Sequence, residues 1–309
     1  MSFKIIFMGT PEFAVPILKT VFESKHEILE VYTQPPNKKN RGQKIHKSPI
    51  HLLSEKLNIP VRHPISLKEK NEIDHLKELK PDIVIVVAYG QIIPTNLLNL
   101  ENTLFLNIHA SLLPRWRGAA PIQRAILNLD QESGVSIMKI VPKLDSGPVL
   151  IQDKIKISQD TNYEKLSDKM SKIGSRLILD ALELIKKNEA YFNEQNESEV
   201  TYANKIEKIE SKIDWSQNAD KIIAKINAFY PNPGSWFEMK GVRIKIIKAK
   251  KVIQNGKPGT ILNDKFTIAC LKDAVQILEL KKEGKPSMKA EEFLRGNEIK
   301  IGQNLNQND

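Results

Sequence analysis

The run PDIVIVVAYG, residues 81–90, decides the fold class of this chain. Five consecutive positions, Ile83 to Val87, are isoleucine or valine, and no polar residue interrupts them. A strand without polar alternation is buried on both faces, which is typical of a parallel sheet covered by helices. We therefore expect this run to be an interior strand of an open α/β sheet.

Apolar runs on either side of this strand alternate with amphipathic segments of helical periodicity. Strands are predicted at 3–9, 28–33, 103–111, 134–141 and 149–157. Helices are predicted at 11–24, 48–58, 66–80, 120–129 and 162–187. This alternation predicts a Rossmann-like, mostly parallel open sheet as the N-terminal domain.

The pattern changes in the last third of the chain. A polar stretch without apolar periodicity predicts a linker over 190–207, between a first domain at 1–189 and a second domain at 208–309. Beyond a helical segment at 218–234, short apolar runs bounded by Gly or Asn lie at 235–239, 242–252, 258–262, 265–270 and 274–282. Short strands at turn-bounded spacing predict a small, OB-like β-barrel.

Composition narrows the functional classes. The 309 residues include no apolar run near the ~20 residues that span a bilayer, so no membrane association is expected. A single cysteine, Cys270, excludes an internal disulfide and a cysteine-based metal cluster, and fits a cytoplasmic protein. The net charge is +10, and residues 205–309 hold 20 Lys and Arg against 13 Asp and Glu. Such an excess favours a polyanionic partner, although a lysine-rich composition alone gives the same charge.

Several nucleotide and metal chemistries find no support in the motifs. The first strand-to-helix turn, MGTPEF, has one glycine, Gly9, where a dinucleotide-binding turn requires GxGxxG. No GxxxxGK[ST] phosphate-binding loop occurs, and the histidines do not follow the HExxH spacing of zinc sites. We therefore expect neither a dinucleotide-dependent dehydrogenase, nor a P-loop ATPase, nor a metal enzyme.

Polar groups cluster where the strand at 103–111 ends. Asn107 and His109 are two residues apart, so a continued strand pleat points both side chains the same way. Ligands of open α/β sheets bind beyond the carboxyl edge of the strands. Asp145, in KLDSGP, lies at the far end of the next predicted strand. Taken alone, each of the three is more readily explained by a structural role, Asp145 as a turn residue.

Three sequence motifs in fixed order favour a catalytic role over a structural one. They are GTPEFA near the start, NIHASLLPRWRGAAPI, and GVSIMKIVPKLDSGP. They resemble the formyltransferases that use 10-formyltetrahydrofolate, and the resemblance extends over the whole chain. The strings VVAYGQIIP, TYANKI, IDWS, FYPNPGSW and PGTIL are similar to those members that formylate methionyl initiator tRNA. The long string around Asn107 and His109 is the most specific of these motifs.

The resemblance implies a catalytic set of Asn107, His109 and Asp145, 10-formyltetrahydrofolate as the formyl donor, and no metal. It also implies that Ser111, Leu112, Leu113 and Pro114 line the folate site. The residue types suit the chemistry: when an amine attacks a formyl carbon, the formyl oxygen gains charge, and the Asn107 and His109 donors would stabilise it. Asp145 would orient His109 and help to remove the proton that the amine loses.

Two basic segments suit a tRNA partner. Residues 34–54 contain five Lys or Arg and no acid, and the first half is expected to be a mobile loop. By resemblance this loop enters the acceptor end of tRNA, with Lys38, Lys39 and Lys44 on phosphates and Arg41 and Gly42 matching the family's RG element. The preceding NKKN differs from the proline and glycine spacing that is more usual there.

The second segment is the predicted strand at 242–252. Val242, Ile244 and Ile246 would face inward, while Arg243 and Lys245 would face outward toward the tRNA backbone. A second departure from the family is Asn227, where arginine is common. A solvated basic face without a partner remains the alternative for both segments.

The function expected by resemblance is formyl transfer to methionyl initiator tRNA, and a monomer is the default expectation. Two alternatives stay open: a related enzyme that formylates an amino-sugar nucleotide, and a catalytically idle RNA-binding protein on the same scaffold. The basic segments argue against the first alternative, since a sugar nucleotide does not need them. The intact Asn107, His109 and Asp145 argue against the second.

Overall fold

A computed structural model describes residues 2–39 and 44–306 of the chain. These residues form two compact units with interleaved boundaries. Unit 1 comprises the described residues of 1–118, 133–155 and 167–203. Unit 2 comprises those of 119–132, 156–166 and 204–309.

The first two-thirds of the chain alternates strands and helices, as predicted. Its strands are β1 (Lys4–Gly9), β2 (Glu27–Tyr32), β3 (Asn37–Lys39), β4 (Lys44–His46), β5 (Val61–Arg62), β6 (Ile83–Val87), β7 (Leu104–His109), β8 (Arg117–Gly118), β9 (Glu132–Lys139), β10 (Val149–Lys156) and β11 (Tyr202–Ala203). Its helices are α1 (Val15–Phe22), α2 (Pro49–Lys56), α3 (Lys70–Leu79), α4 (Thr95–Leu98), α5 (Pro121–Leu127) and α6 (Tyr163–Lys186). Short 3-10 helices lie at Glu12–Ala14, Glu197–Glu199 and Lys208–Ser211.

Seven strands form the main sheet in the order β10-β9-β7-β6-β1-β2-β5. Strand β6, the apolar run on which the fold prediction rests, pairs in parallel with β1 on one side and with β7 on the other. All five of its residues are buried. Strand β9 is antiparallel to β7, so the sheet is mixed but mostly parallel. The predicted α/β fold is confirmed.

The helices cover this sheet through their apolar faces. Helix α1 buries Ile17, Leu18 and Val21, at the spacing of successive helical turns. Gly174, within α6, allows a close approach, because an added Cβ would lie 3.1 Å from Ile108 Cγ2 and 3.3 Å from Ile17 Cδ1. The helix therefore packs against both β7 and α1.

Two short strands that pair with each other lie within the segment predicted as a mobile loop. Strand β3 pairs antiparallel with β4, with Asn37 opposite His46 and Lys39 opposite Lys44. Helix α2 follows directly, and the Ser48 hydroxyl caps it by accepting from the His51 N–H at 3.0 Å. The predicted RG element, Arg41 and Gly42, lies outside the described residues.

The last third of the chain forms β12 (Trp236–Met239), β13 (Val242–Val252), β14 (Ile261–Asn263), β15 (Thr267–Ala269), β16 (Ala274–Lys282) and β17 (Ser287–Lys289), with α7 (Ala219–Phe229) and α8 (Ala290–Arg295). The strands form one sheet in the order β12-β13-β16-β15-β14, and β17 pairs with β16. The strand pairs that its described residues form are antiparallel. The prediction of a second domain of short strands after a helix is confirmed, and its sheet is antiparallel. The hydrogen-bonded ladder of the described strands runs from β12 to β14.

An aromatic cluster fills the core of unit 2. Phe237 and Phe266 meet edge to face at 6.2 Å, and Phe266 stacks on Phe293 at 5.7 Å. Cys270 lies in the same core, where burial raises the pKa of its thiol to about 12. Cys270 is thus a packing residue, as its apolar surroundings in the sequence predict.

Strand β13 follows the predicted alternation only in part. Ile244 and Ile246 are buried, but Val242 is 44% exposed because it is the first residue of the strand, beside the turn at Gly241. Asn227, on α7, donates a 3.0 Å hydrogen bond to the Gln159 carbonyl. No helix in the described ranges 2–39 and 44–306 is long and apolar enough to cross a membrane.

Candidate active site

Strand β7 brings the first two candidate residues to the carboxyl edge of the main sheet. Asn107 is half-buried, and the His109 side chain is only 6% exposed. Both lie on the same side of the strand because they are two residues apart. Each has a partner on β9, with Asn107 opposite Met138 and His109 opposite Ser136. Pairing with β9 therefore fixes the backbone at both residues.

Asp145 comes from the loop between β9 and β10 and meets both residues. Its Oδ1 lies 3.5 Å from Asn107 Nδ2, and its Oδ2 lies 3.7 Å from His109 Nδ1. The main-chain N–H of Gly118 donates a 2.8 Å hydrogen bond to Oδ2. Asp145 adopts a φ of +44°, in the left-handed region that non-glycine residues seldom occupy. The structure thus brings together the three residues that the sequence singled out.

The second contact of His109 sets the protonation of its ring. Nε2 lies 2.9 Å from the carbonyl oxygen of Trp116. A carbonyl can only accept, so Nε2 must hold the hydrogen, and in the neutral ring Nδ1 then has the free lone pair. Nδ1 is the nitrogen that faces Asp145. A proton taken up at Nδ1 would therefore lie beside a carboxylate.

The SLLP loop, residues 111–114, is supported from beneath by Ser136 of β9. The Ser136 hydroxyl donates to the Ser111 carbonyl at 2.6 Å and accepts from the Leu113 N–H at 3.1 Å. Gln152 Nε2 donates to Ser136 Oγ and to the Leu113 carbonyl. The Ser111 side chain is fully buried, and its hydroxyl donates to the Arg115 carbonyl at 2.6 Å. The loop is therefore held by its own polar groups.

Apolar side chains and main-chain carbonyls border the same edge of the sheet. The Tyr89 carbonyl, at the end of β6, accepts from Thr10 Oγ1 at 2.8 Å and from Gln34 Nε2 at 3.2 Å. Ile92 is 79% exposed in the following loop, and Leu144, next to Asp145, is 60% exposed. The edge thus offers both an apolar surface and fixed polar groups to a ligand.

A return segment, residues 193–203, completes the site, and sequence reasoning did not assign it a functional role. Asn193 bridges to Val149 of β10, and Tyr202–Ala203 (β11) pairs with Arg117–Gly118 (β8). Between these ends, Gln195 and Glu197 contact the loop of Asp145 and the side chain of Arg117. The only signal for these residues was polar composition, which indicates a linker equally well.

The basic residues predicted to bind tRNA fall in two places. The backbones of Lys38, Lys39 and Lys44 lie in the β3–β4 hairpin. On β13, the Arg243 guanidinium lies 3.8 Å from the centre of the Trp236 ring, within cation–π range. Lys245 is half-buried, and its ammonium donates to the Pro233 carbonyl at 2.7 Å. Arg243 is therefore the more available of the two cations.

The described part of the chain contains no group of three or more His, Cys, Asp or Glu side chains that could hold a metal ion. The chemistry that the geometry supports uses an amide donor, an imidazole and a carboxylate around one point. These groups can stabilise negative charge on an oxygen and accept a proton from an attacking nucleophile.

Comparison with known proteins identifies the family. The chain matches the model of the formyl transferase family over residues 3–182, and that of the formyl transferase C-terminal domain over 205–298. The methionyl-tRNA formyltransferase of Pelagibacter ubique is 49% identical over 99% of both chains. The enzyme of the same name from Paramagnetospirillum magneticum is 43% identical over 97% of this chain and 98% of its own.

Solved structures show the same fold at lower identity. An N-formyltransferase from Helicobacter canadensis, in complex with folinic acid and dTDP-3-aminofucose, is 20% identical with a TM-score of 0.69, over 89% of this chain and 99% of its own. HypX from Aquifex aeolicus, in complex with tetrahydrofolic acid, is 18% identical with a TM-score of 0.67. That match covers 95% of this chain and 47% of HypX. From the matches to the family models and the relatives of 43–49% identity, this chain belongs to the formyl transferase family.

Proposed function

We propose that this chain transfers the formyl group of 10-formyltetrahydrofolate to the amino group of methionine on initiator tRNA, and so serves translation initiation. Relatives named methionyl-tRNA formyltransferase cover nearly its whole length at up to 49% identity. The observation that supports the reaction best is the convergence of Asn107, His109 and Asp145 at one edge of the sheet. Two of these residues lie on a rigid strand and the third on a braced loop.

The proposed roles follow from the contacts of each residue. The Asn107 amide contacts Asp145 at the long distance of 3.5 Å, so its N–H groups are available to the formyl oxygen as it gains charge. His109 has its Nε2–H engaged by Trp116, which leaves Nδ1 to accept the proton that the amine loses. Asp145 then stabilises the charged ring, and the proton passes to N10 of the folate as the bond between N10 and the formyl carbon breaks.

The donor fits the apolar and polar groups at the edge. The half-buried Leu112 and Pro114 and the exposed Leu144 offer apolar surface to a flat ring system, and the carbonyl of the buried Leu113 is held by Gln152. Ser111 is fully buried, so we assign it the role of shaping this loop and not of touching the folate. When bound, the folate supplies the one-carbon unit, and the residues of the chain position and activate the amine that receives it.

The tRNA contacts are proposed from charge and placement. The hairpin β3–β4 follows β2, next to β1 in the main sheet, and holds lysines on both strands. In the second domain, proposed to cover 208–309 after the linker at 190–207, Arg243 supplies an exposed cation. Such contacts contribute salt-dependent affinity for the phosphate backbone. A monomer located in the cytoplasm is part of the same proposal.

The decisive experiment offers the purified protein 10-formyltetrahydrofolate together with a panel of amines. The panel contains methionyl initiator tRNA, methionyl elongator tRNA and an amino-sugar nucleotide, and the product is measured as acid-stable formylated amine. We expect transfer to the initiator tRNA in preference to the other two. Transfer to the sugar nucleotide alone would refute the proposed acceptor, and no transfer to any amine would refute the enzymatic activity.

A further inference from the structure

We propose that Gln195 and Arg117 are positioning residues that hold the Asp145 carboxylate in its working orientation. The inference rests on the proposed function, because it gives these two residues a role only through Asp145. Neither touches the point where Asn107, His109 and Asp145 converge. Both act on the loop and the turn that deliver the carboxylate to that point.

Gln195 fixes the loop of Asp145 through main-chain contacts. Its Nε2 donates to the Asp145 carbonyl at 2.9 Å and to the Gly147 carbonyl at 2.7 Å. One side-chain amide thus uses both hydrogens on two carbonyls that flank the turn. The Asp145 backbone lies at φ +44°, a conformation that persists only where the surroundings enforce it. Gln195 supplies that enforcement.

Arg117 holds Gln195 in the orientation that these contacts need. Its Nε donates to Gln195 Oε1 at 3.0 Å, which leaves Nε2 of the amide pointing at the two carbonyls. The opposite rotation of the amide would place its oxygen against both carbonyls and its N–H groups against the guanidinium. Arg117 therefore selects one of the two amide orientations.

The position of Arg117 is itself fixed on several sides. Its side chain is fully buried, and its Nη2 donates to Glu197 at 2.8 Å. Its main-chain N–H donates to the Thr201 carbonyl at 2.9 Å, and its strand pairs with β11. A fully buried guanidinium is costly unless it is paired, so its retention needs a specific reason. We infer that the buried Arg117 is retained because it orients Gln195.

The two residues also reach the carboxylate from its other side. Gly118, the residue after Arg117, donates its N–H to Asp145 Oδ2 at 2.8 Å. Asp145 is therefore held at its main chain by Gln195 and at its carboxylate oxygen by Gly118, in the turn that Arg117 anchors. Small displacements of a catalytic group can cost about 10²-fold in rate, so this double support matters for turnover.

The test compares Gln195→Met with Gln195→Glu in formylation of methionyl initiator tRNA. Met removes all three hydrogen bonds at nearly constant length, whereas Glu keeps an acceptor for Arg117 but puts an oxygen against the two carbonyls. We expect both variants to lower kcat by about 10- to 100-fold, with KM for tRNA and for folate within about threefold of wild type. Gln131→Met is the control, because it makes the same change at an exposed glutamine whose side-chain amide donates to the nearby Leu129 carbonyl. Its kcat should equal that of wild type.

A second arm separates positioning from a general loss of structure. In an Asp145→Ala background, measured by single turnover, Gln195→Met should change the residual rate by less than about twofold, because the group it positions is gone. A kcat within about twofold of wild type for both Gln195 variants would overturn the inference, as would a further loss of 10-fold or more in the Asp145→Ala background. If Gln195→Met does not fold, Gln195→Glu decides. Failure of wild-type protein to formylate the tRNA would instead reject the proposed function.

Discussion

The N–H of Gly118 donates a 2.8 Å hydrogen bond to Asp145 Oδ2, and Gly118 can do so only because it lacks a side chain. Its φ is +123°, a conformation that favours glycine, and an added Cβ would lie 2.8 Å from the Ala203 carbonyl oxygen. The RG dipeptide at 117–118 thus combines a buried cation with a glycine that presents its N–H to the carboxylate. The orientation of Asp145 depends on the backbone of this dipeptide.

We expect Gly118→Ala to destabilise the fold by about 1–3 kcal/mol through backbone strain and to lower the rate of formyl transfer in the folded fraction. Urea unfolding and single-turnover formylation measure the two effects. Gly284→Ala is the matched control, since Gly284 has φ +74° and nothing within 4 Å of an added Cβ. It should lose stability through its φ alone and keep the wild-type rate. A normal rate in folded Gly118→Ala would contradict the proposed role of this N–H.

The three proposed catalytic residues should behave as a unit. We expect His109→Ala and Asp145→Asn each to lower kcat by about 10²- to 10³-fold, because His109 accepts the proton of the amine and Asp145 stabilises the charged ring that results. Binding of tRNA, measured by filter retention, should stay near wild type. His75→Ala is the control, since it removes a His75–Glu30 pair of 2.8 Å elsewhere in unit 1. Near-normal turnover of either active-site variant would reject the assignment.

Ser136 should affect the binding of the folate donor and leave the binding of the tRNA unchanged. It is fully buried and bonds to Ser111, Leu113 and Gln152, so Ser136→Ala leaves buried polar groups of the SLLP loop without partners. We expect a loss of about 1–3 kcal/mol in stability and a raised KM for 10-formyltetrahydrofolate, with little change in KM for tRNA.

The same strand offers the control for that experiment. The Ser133 hydroxyl is buried and has no hydrogen-bond partner among the described residues, so Ser133→Ala should be neutral or stabilising. Both variants remove one hydroxyl from β9. Equal effects of the two on the folate KM would show that Ser136 does not support the loop.

The sequence predicted the parts of the site that strands create. Strand β6 is apolar at every position, and β7 ends in polar groups, so their burial and the meeting of Asn107 with His109 follow from periodicity. Asp145 lies 38 residues beyond Asn107, and only the quoted motifs predicted that it joins the same site. Strand β9 is antiparallel to β7, so its carboxyl end points away from the edge where β7 ends, and the following loop brings Asp145 back.

The parts that depend on side-chain contacts across the fold were not predicted. Gln195 lies in a polar stretch without periodicity, and its role exists only because the chain returns to pair β11 with β8. Strand β5 has two residues, too few for any alternation to be visible. The hairpin around residues 37–46 is polar throughout its strands apart from Ile45, so composition predicted a loop where the backbone pairs.

Acid should weaken the Arg117–Glu197 pair in a defined pH range. The guanidinium of Arg117, and then the ammonium of Lys143, lower the pKa of Glu197 from 4.5 to about 2. A carboxyl whose pKa is lower in the folded state stabilises the fold above its unfolded pKa, and loses that contribution as pH falls through the folded value. The contribution of Glu197 should therefore be complete above pH 4.5 and decline toward pH 2.

The difference in unfolding free energy between wild type and Glu197→Gln should accordingly be largest near neutral pH and shrink as the pH falls below 4.5. Glu197 is exposed, so solvent and salt should reduce the difference. Glu199→Gln is the control: it removes the same charge two residues away, where the partner is Asn196. A pH-independent difference for Glu197→Gln would contradict the ion-pair origin.

Arg243 and Lys245 should contribute unequally to tRNA binding although they are neighbours on one strand. Arg243 is exposed and stacked 3.8 Å over Trp236, which holds its guanidinium at the surface, whereas the ammonium of Lys245 is engaged by the Pro233 carbonyl. We expect Arg243→Ala to reduce the slope of log K against log salt by about one and to weaken binding of any tRNA similarly. Lys245→Ala should change the slope less, because the ammonium of Lys245 already donates a hydrogen bond within the fold.

Arg243→Lys separates the charge of Arg243 from its stacking on Trp236, and it should keep the slope while losing part of the affinity. Equal slopes for wild type and Arg243→Ala would remove Arg243 from the proposed tRNA surface.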